Sequence, residues 1–302
     1  MKEIRVLSSD GAHTLAGRVY EPRGEVKGMF HVVHGMTEHI GRYETFMEEM
    51  AQNGFLTFGY DHLGHGNTAR DKSELGYIAD KDGWRYLADD VAVFGKAMEE
   101  AYGKTAPYVL MGHSMGSFIV RLTAARYPDL ADKLIVMGTG GPNPAAGAGL
   151  AVIRLLKLFK GGHGYSDLVE KLAFGTYNSH FRNENDPLSW LTKDRTIRER
   201  YAQDTFCTFR FTLSAMQDLI TLNARSNAKN WAEKIACPVL LVSGADDPVG
   251  DYGAGVKAVN KMLQSVGKNV TMRLYENCRH EILNDTARKD VIRDILSFAG
   301  EA

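Results

Sequence analysis

Tyr108-Val109-Leu110-Met111-Gly112-His113-Ser114-Met115-Gly116 passes from a short apolar run into a segment of helical spacing that begins near Ser117. The pattern Gly-x-Ser-x-Gly suits a sharp strand-to-helix turn. A side chain at either flanking position would collide with the neighbouring strand and helix when the serine backbone is strained. Such a turn holds the Ser114 hydroxyl out of the fold, and the helix that follows aims the Met115 N–H at negative charge developing beside that oxygen. Ser114 is therefore the candidate nucleophile, and Met115 supplies half of a candidate oxyanion hole.

Outward from this turn, strand and helix signals alternate. Ile4 to Ser8 and Leu15 to Tyr20 flank Asp10-Gly11, a hairpin signal for two antiparallel edge strands. Gly28 to Val33 is a nearly continuous apolar run, as in a strand covered on both faces, and Phe55 to Tyr60 is another. Between them Phe46, Met47, Met50 and Ala51 fall at helical spacing, closed by Asn53-Gly54. A long helix is expected from Trp84 to Tyr102, and the helix after Ser114 is ended by Tyr127-Pro128 before the strand Leu134 to Met137. This order argues for an α/β fold: a mostly parallel central sheet with helices on both faces, and ligands beyond the carboxyl ends of its strands.

The alternation fails from Pro142 to Asn227, where amphipathic helical patterns replace strand signals. It resumes with a strand at Pro238 to Val242, a helix at Ala254 to Val266, a strand at Val270 to Tyr275 and a helix ending near Phe298. The expected organisation is a sheet core over residues 1–141 and 228–302, with a helical cap inserted over 142–227.

Composition narrows the partners. With 302 residues, 44% of them hydrophobic, the chain can fill a sizeable core. A net charge of −1 with interspersed signs gives no reason to expect nucleic acid. Cys207, Cys237 and Cys278 are widely spaced and odd in number, which suits a reducing compartment. Neither a signal-peptide stretch nor eighteen consecutive apolar residues occur, so a cytoplasmic protein is expected.

A serine hydroxyl needs a base within hydrogen-bonding reach and an acid to orient that base. Of ten histidines, His280 alone follows the last expected strand, where a loop at the carboxyl edge can carry it over Ser114. The acid belongs just after the strand ending at Val242, where Asp246 and Asp247 are both candidates. The second oxyanion donor belongs in the loop after the first central strand, and Met36, following His34-Gly35, is the expected one. Asp61, His62 and His65 could suggest a metal site, but no further ligand cluster completes it, so a tight turn is expected. Neither a metal nor a cofactor is expected.

His34-Gly35-Met36-Thr37-Glu38-His39-Ile40-Gly41-Arg42-Tyr43, Tyr60 to Gly66, Gly112 to Gly116, and Gly244 to Val249 with His280 together resemble the α/β-hydrolase fold. More narrowly they resemble its monoacylglycerol lipase and lysophospholipase branch, over the chain from about Val26 onward. Asn185 to Trp190 is similar to a stretch in that branch's bacterial members. The resemblance implies hydrolysis of a carboxylic ester through an acyl-enzyme. Ser114 would attack, His280 would relay the proton, and the N–H groups of Met36 and Met115 would hold the oxyanion. It also implies Asp247 as the acid, three residues after Gly244, with Asp246 as a spacer. Met36 departs from relatives that carry a smaller residue, which keeps the N–H and narrows the acyl pocket.

The substrate this implies is a small-molecule ester or lipid, first a monoacylglycerol or lysophospholipid. A small-ester esterase, an aminopeptidase or a cofactor-free haloperoxidase uses the same triad, and a non-catalytic binding protein would not need to keep it. Leu150 to Lys160 places Arg154, Lys157 and Lys160 on one narrow face of an otherwise apolar helix. Such a helix lines an acyl channel, makes transient contact with a membrane surface, or simply packs on its neighbours. No stretch specifies the acyl length, the head group or an oligomeric state.

Overall fold

In the computed structural model, which describes residues 1–228 and 230–300, the chain opens on a hairpin of β1 (Lys2–Leu7) and β2 (Thr14–Tyr20). Asp10 makes the turn, its carboxylate accepting from the N–H groups of Ala12 and His13. Then come β3 (Gly28–Val33), α1 (Glu44–Gln52), β4 (Phe55–Tyr60), α2 (Gly83–Tyr102), β5 (Tyr108–His113), α3 (Met115–Arg126) and β6 (Lys133–Met137). Four α-helices follow without a strand among the described residues: α4 (Ala146–Lys160), α5 (Asp167–Phe174), α6 (Arg195–Gln203) and α7 (Leu213–Ser226). The sheet is completed by β7 (Val239–Gly244) and, after α8 (Ala254–Ser265), by β8 (Val270–Tyr275), and α9 (Arg288–Gly300) follows.

Among the described residues these strands form one eight-stranded sheet in the order β1-β2-β4-β3-β5-β6-β7-β8. Only β1 with β2 and β2 with β4 pair antiparallel; the remaining pairs are parallel. The two-residue period of a strand divides its side chains between two cores. Met29, Val33, Leu110, Val136 and Leu241 meet α2, α3 and α8 on one face. Phe30, Val32, Met111, Ile135 and Leu240 meet α1 and α9 on the other. All six residues of β3, β4, β5 and β7 are therefore buried, while β8 at the edge alternates. Truncating one such side chain costs about 2–5 kcal/mol, a large part of the roughly 5–15 kcal/mol that holds a domain folded. That forces the uninterrupted apolar runs to the middle of the sheet.

Two local expectations shift. α3 starts at Met115, two residues before the apolar spacing becomes visible, because Ser114 itself is the residue preceding the helix. Of the three cations expected on one narrow face of α4, Arg154 and Lys160 are exposed, whereas Lys157 Nζ turns back to the Asp80 carbonyl and Gln217 Oε1. The outward face also carries Leu155, Leu158 and Phe159, which are 58%, 80% and 82% exposed, so these three do not line a channel. α7, by contrast, sends Leu213, Ala215, Met216 and Leu222 into the same core as α2 and α3. Among the described residues no helix is long and apolar enough to cross a membrane.

Candidate active site

Ser114 sits at the tip of the β5–α3 turn with φ 54° and ψ −120°, a conformation costing a non-glycine residue about 1–3 kcal/mol. Its surroundings impose that geometry. A Cβ at Gly112 would stand 2.2 Å from the Gly116 carbonyl oxygen, and one at Gly116 would stand 2.2 Å from that of Val33. Only glycine permits strand and helix to approach so closely. The Ser114 N–H donates to the Met137 carbonyl at 3.0 Å, pinning the turn to the end of β6. Met115, buried, opens α3, so its N–H has no acceptor within the helix.

Asp247 follows β7 and His280 follows β8, both buried, with Oδ2 3.0 Å from Nδ1. Asp247 also accepts from the Val249 N–H at 2.8 Å and the Ser243 hydroxyl at 3.2 Å. Burial alone would raise its pKa, yet the His280 imidazole and the Val249 N–H hold the carboxyl below its usual range. Asp246 points the other way, with Oδ2 3.7 Å from Lys193 Nζ at the surface. The His280 ring reaches back over β6: a Cβ at Gly138, next to the Met137 that holds Ser114, would lie 3.2 Å from its Cε1. The structure thus brings Ser114, Asp247 and His280 to one edge of the sheet.

Met36 lies in the loop after β3, half-buried. That loop presses on the serine, since a Cβ at Gly35 would stand 2.9 Å from Ser114 Cβ. Beneath it lies a polar cluster that the sequence reading did not assign. The buried Glu38 carboxylate accepts from the Gly35 N–H and the Tyr43 hydroxyl and pairs with Arg42 at 2.9 Å. Arg42 forks onto Glu281, the neighbour of His280, at 2.6 and 2.8 Å. His113 donates from Nδ1 to the Tyr43 hydroxyl oxygen at 2.8 Å and from Nε2 to the His280 carbonyl at 3.3 Å. With acceptors at both nitrogens it suits an imidazolium. Burial works against that charge, but Glu38 and Glu281 outweigh it and raise the pKa. A polar cavity of about 50 Å³ among Glu38, Arg42, His113 and Glu281 has room for a water or two. Nothing in the spacing of residues 38, 113 and 281 announces this cluster.

The segment between β6 and β7 braces both loops. The N–H groups of His280 and Glu281 donate to the carbonyls of Trp190 and Leu191 at 3.4 and 2.7 Å. The Trp190 ring packs 5.3 Å from the His280 ring.

Asp61, His62 and His65 make the expected turn. Asp61 accepts from the N–H groups of Ile40 and Asn67, both at 2.8 Å, and a Cβ at Gly66 would strike its carboxylate. Burial drives the pKa of His62 to about 3 and of His65 to about 4, so both are neutral, and each bonds a backbone carbonyl. One group among the described residues has metal-like proximity: His39, Asp204 and Cys207, with ligand atoms within 4.8 Å of one another. Its Nε2 and Oδ2 already share a 2.9 Å hydrogen bond, and burial holds the Cys207 thiol protonated, which fits an ion poorly.

A parallel sheet that delivers serine, aspartate and histidine in that chain order, the serine from a Gly-x-Ser-x-Gly elbow, is the plan of the α/β-hydrolase fold, serine type. A family model described as serine aminopeptidase, S33 matches residues 24–287, and the chain belongs to that family. The chain is 27% identical to the monoglyceride lipase of Homo sapiens, over 91% of this chain and 82% of that protein. It is 24% identical to the monoacylglycerol lipase of Mycolicibacterium smegmatis, over 97% and 98%. A highly thermostable carboxyl esterase from Bacillus coagulans, solved with glycerol, superposes with a TM-score of 0.91 at 32% identity, covering 98% of this chain and 97% of that one. The chain is a serine ester hydrolase that resembles monoglyceride lipases.

Proposed function

We propose that the protein cleaves a lipid monoester, a monoacylglycerol or lysophospholipid, through an acyl-enzyme on Ser114. The observation that carries this is the buried Asp247–His280 pair, 3.0 Å apart, beside a serine held in a strained turn. Asp247 fixes the tautomer with a proton on Nδ1, which leaves Nε2 of His280 as the base. Nε2 takes the Ser114 proton as Oγ bonds the ester carbonyl carbon, and the carbonyl oxygen becomes an oxyanion facing the N–H groups of Met36 and Met115. The carbon–oxygen bond to the alcohol then breaks, and the leaving oxygen takes the proton from Nε2. Water repeats the sequence, frees the fatty acid and restores Ser114. Each oxyanion donor is worth about 10²–10³ in rate.

Residues 142–227 act as a cap over this edge, set on the core expected over 1–141 and 228–302, of which residues 229, 301 and 302 lie outside the described residues. Its outer face carries Leu155, Leu158 and Phe159 of α4 with Leu168 and Leu172 of α5, all exposed. Lys160 and Lys171 lie on the same helices, a composition that suits transient contact with an anionic lipid surface. The three cysteines are unpaired and buried, in keeping with a cytoplasmic protein.

The test is turnover of monoacylglycerols and of nitrophenyl esters of rising chain length, beside an aminoacyl amide. Faster cleavage of monoacylglycerols and longer esters is expected. A preference for acetyl esters would make the protein a small-ester esterase, and a preference for the amide would make it an aminopeptidase.

A further inference from the structure

Thr37, directly after Met36, has φ 49°. For a β-branched residue this left-handed conformation is a true outlier, kept only where the surroundings over-determine it. One side chain supplies the hold from outside the loop. The Tyr201 hydroxyl, on α6, donates to the Thr37 carbonyl at 2.8 Å, and the Thr37 hydroxyl is 2.9 Å from the same tyrosine oxygen. The carbonyl and the hydroxyl of the strained residue therefore meet one phenol. The Tyr201 ring lies against the Arg42 guanidinium, 4.9 Å from ring centre to Cζ, and Arg42 bonds Glu38, which accepts the Gly35 N–H. One turn further on, Asp204 Oδ2 meets His39 Nε2 at 2.9 Å. The loop from Gly35 to His39 is thus gripped from below by Glu38 and from above by α6.

We propose that Tyr201 is a positioning residue for the oxyanion loop: its hydroxyl keeps Thr37 left-handed and so keeps the preceding Met36 N–H directed at the ester oxygen. This rests on the ester-hydrolase reading above, with Met36 as an oxyanion donor. The Tyr201 hydroxyl bonds Thr37 rather than Ser114, and it acts through Thr37. The inserted helices then complete the catalytic geometry as well as covering it, and an α6 that lifts away releases the loop.

The test is Tyr201→Phe, Thr37→Gly and the double variant, assayed on a soluble nitrophenyl butyrate and with a trifluoromethyl ketone, which adds to the active serine to form an oxyanion. Tyr201→Phe should lower kcat about tenfold with KM within about twofold. It should weaken the ketone by the same factor as kcat/KM, because both depend on the oxyanion donors. Glycine adopts positive φ unaided, so in the Thr37→Gly background the same hydroxyl removal should cost less than about threefold. Unchanged kcat, a loss carried by KM, or an equal loss in both backgrounds overturns the positioning role. A wild type that neither hydrolyses the ester nor is labelled by a fluorophosphonate would instead overturn the ester-hydrolase reading, and this role with it.

Discussion

Glu38 and His113 meet in the floor beneath the Ser114 turn, Oε1 3.3 Å from Nδ1, with both side chains buried. Burial alone would raise the carboxyl pKa and lower that of the imidazole, but the contact reverses both. Glu38 lies well below its ordinary 4.5, helped by Arg42, and His113 lies above its ordinary 6.5, helped by Glu281. Glu38 thus contributes stability that is present above pH 4.5 and lost as pH falls through its depressed folded value. His113 contributes stability that is complete below pH 6.5 and lost as pH rises through its raised folded value. The melting temperature of Glu38→Gln should therefore fall furthest below wild type between pH 4.5 and 6.5, and the gap should narrow without closing as pH rises through the raised His113 value, because Arg42 stays charged beside residue 38. Calorimetry across that range checks this; a gap that widens steadily towards alkaline pH contradicts it.

The two adjacent aspartates should part company. Asp247→Asn should reduce kcat by about 10⁴, because an amide neither stabilises the imidazolium nor holds the productive tautomer. The Asp246 carboxylate faces Lys193 at the surface, so Asp246→Asn should change kcat by less than about threefold. Kinetics of both variants on one ester at one pH decide it, and the reverse ranking would move the role to Asp246.

Leu158 and Phe159 should matter only when substrate is presented in an interface. Each exposes four-fifths of its surface and fills no core, so replacing both with serine should leave the melting temperature and soluble butyrate hydrolysis near wild type. Sedimentation with anionic vesicles, and turnover of a long-chain monoacylglycerol held in them, should drop severalfold. Equal losses on soluble and vesicle-borne esters would mean that the pair supports folding or the acyl path instead.

Much of this was legible because short-range patterns carry it. The apolar runs Gly28–Val33 and Val239–Val242 can sit only in the middle of a two-sided sheet, and the glycines around Ser114 report a clash that other side chains could not avoid. His280 and the pair Asp246-Asp247 were findable since each follows a strand, while the choice of Asp247 within the pair came from the family resemblance and not from a local pattern. The outward turn of Leu158 was not findable, because helical spacing gives an apolar face without saying what covers it. Nor was the cluster of Glu38, Arg42, His113 and Glu281, or the hold of Tyr201 on Thr37. These join residues far apart in the chain through buried charge and one phenol, and no local period encodes such pairings.

Ser114 carries the proposed chemistry, so the decisive measurement is the hydrolysis rate of purified Ser114→Ala on a nitrophenyl butyrate. The residue occupies a turn rather than a core, and its removal should leave the fold intact while kcat falls by about 10⁴ or more. A folded variant that kept more than about a tenth of the wild-type rate would contradict Ser114 as the nucleophile.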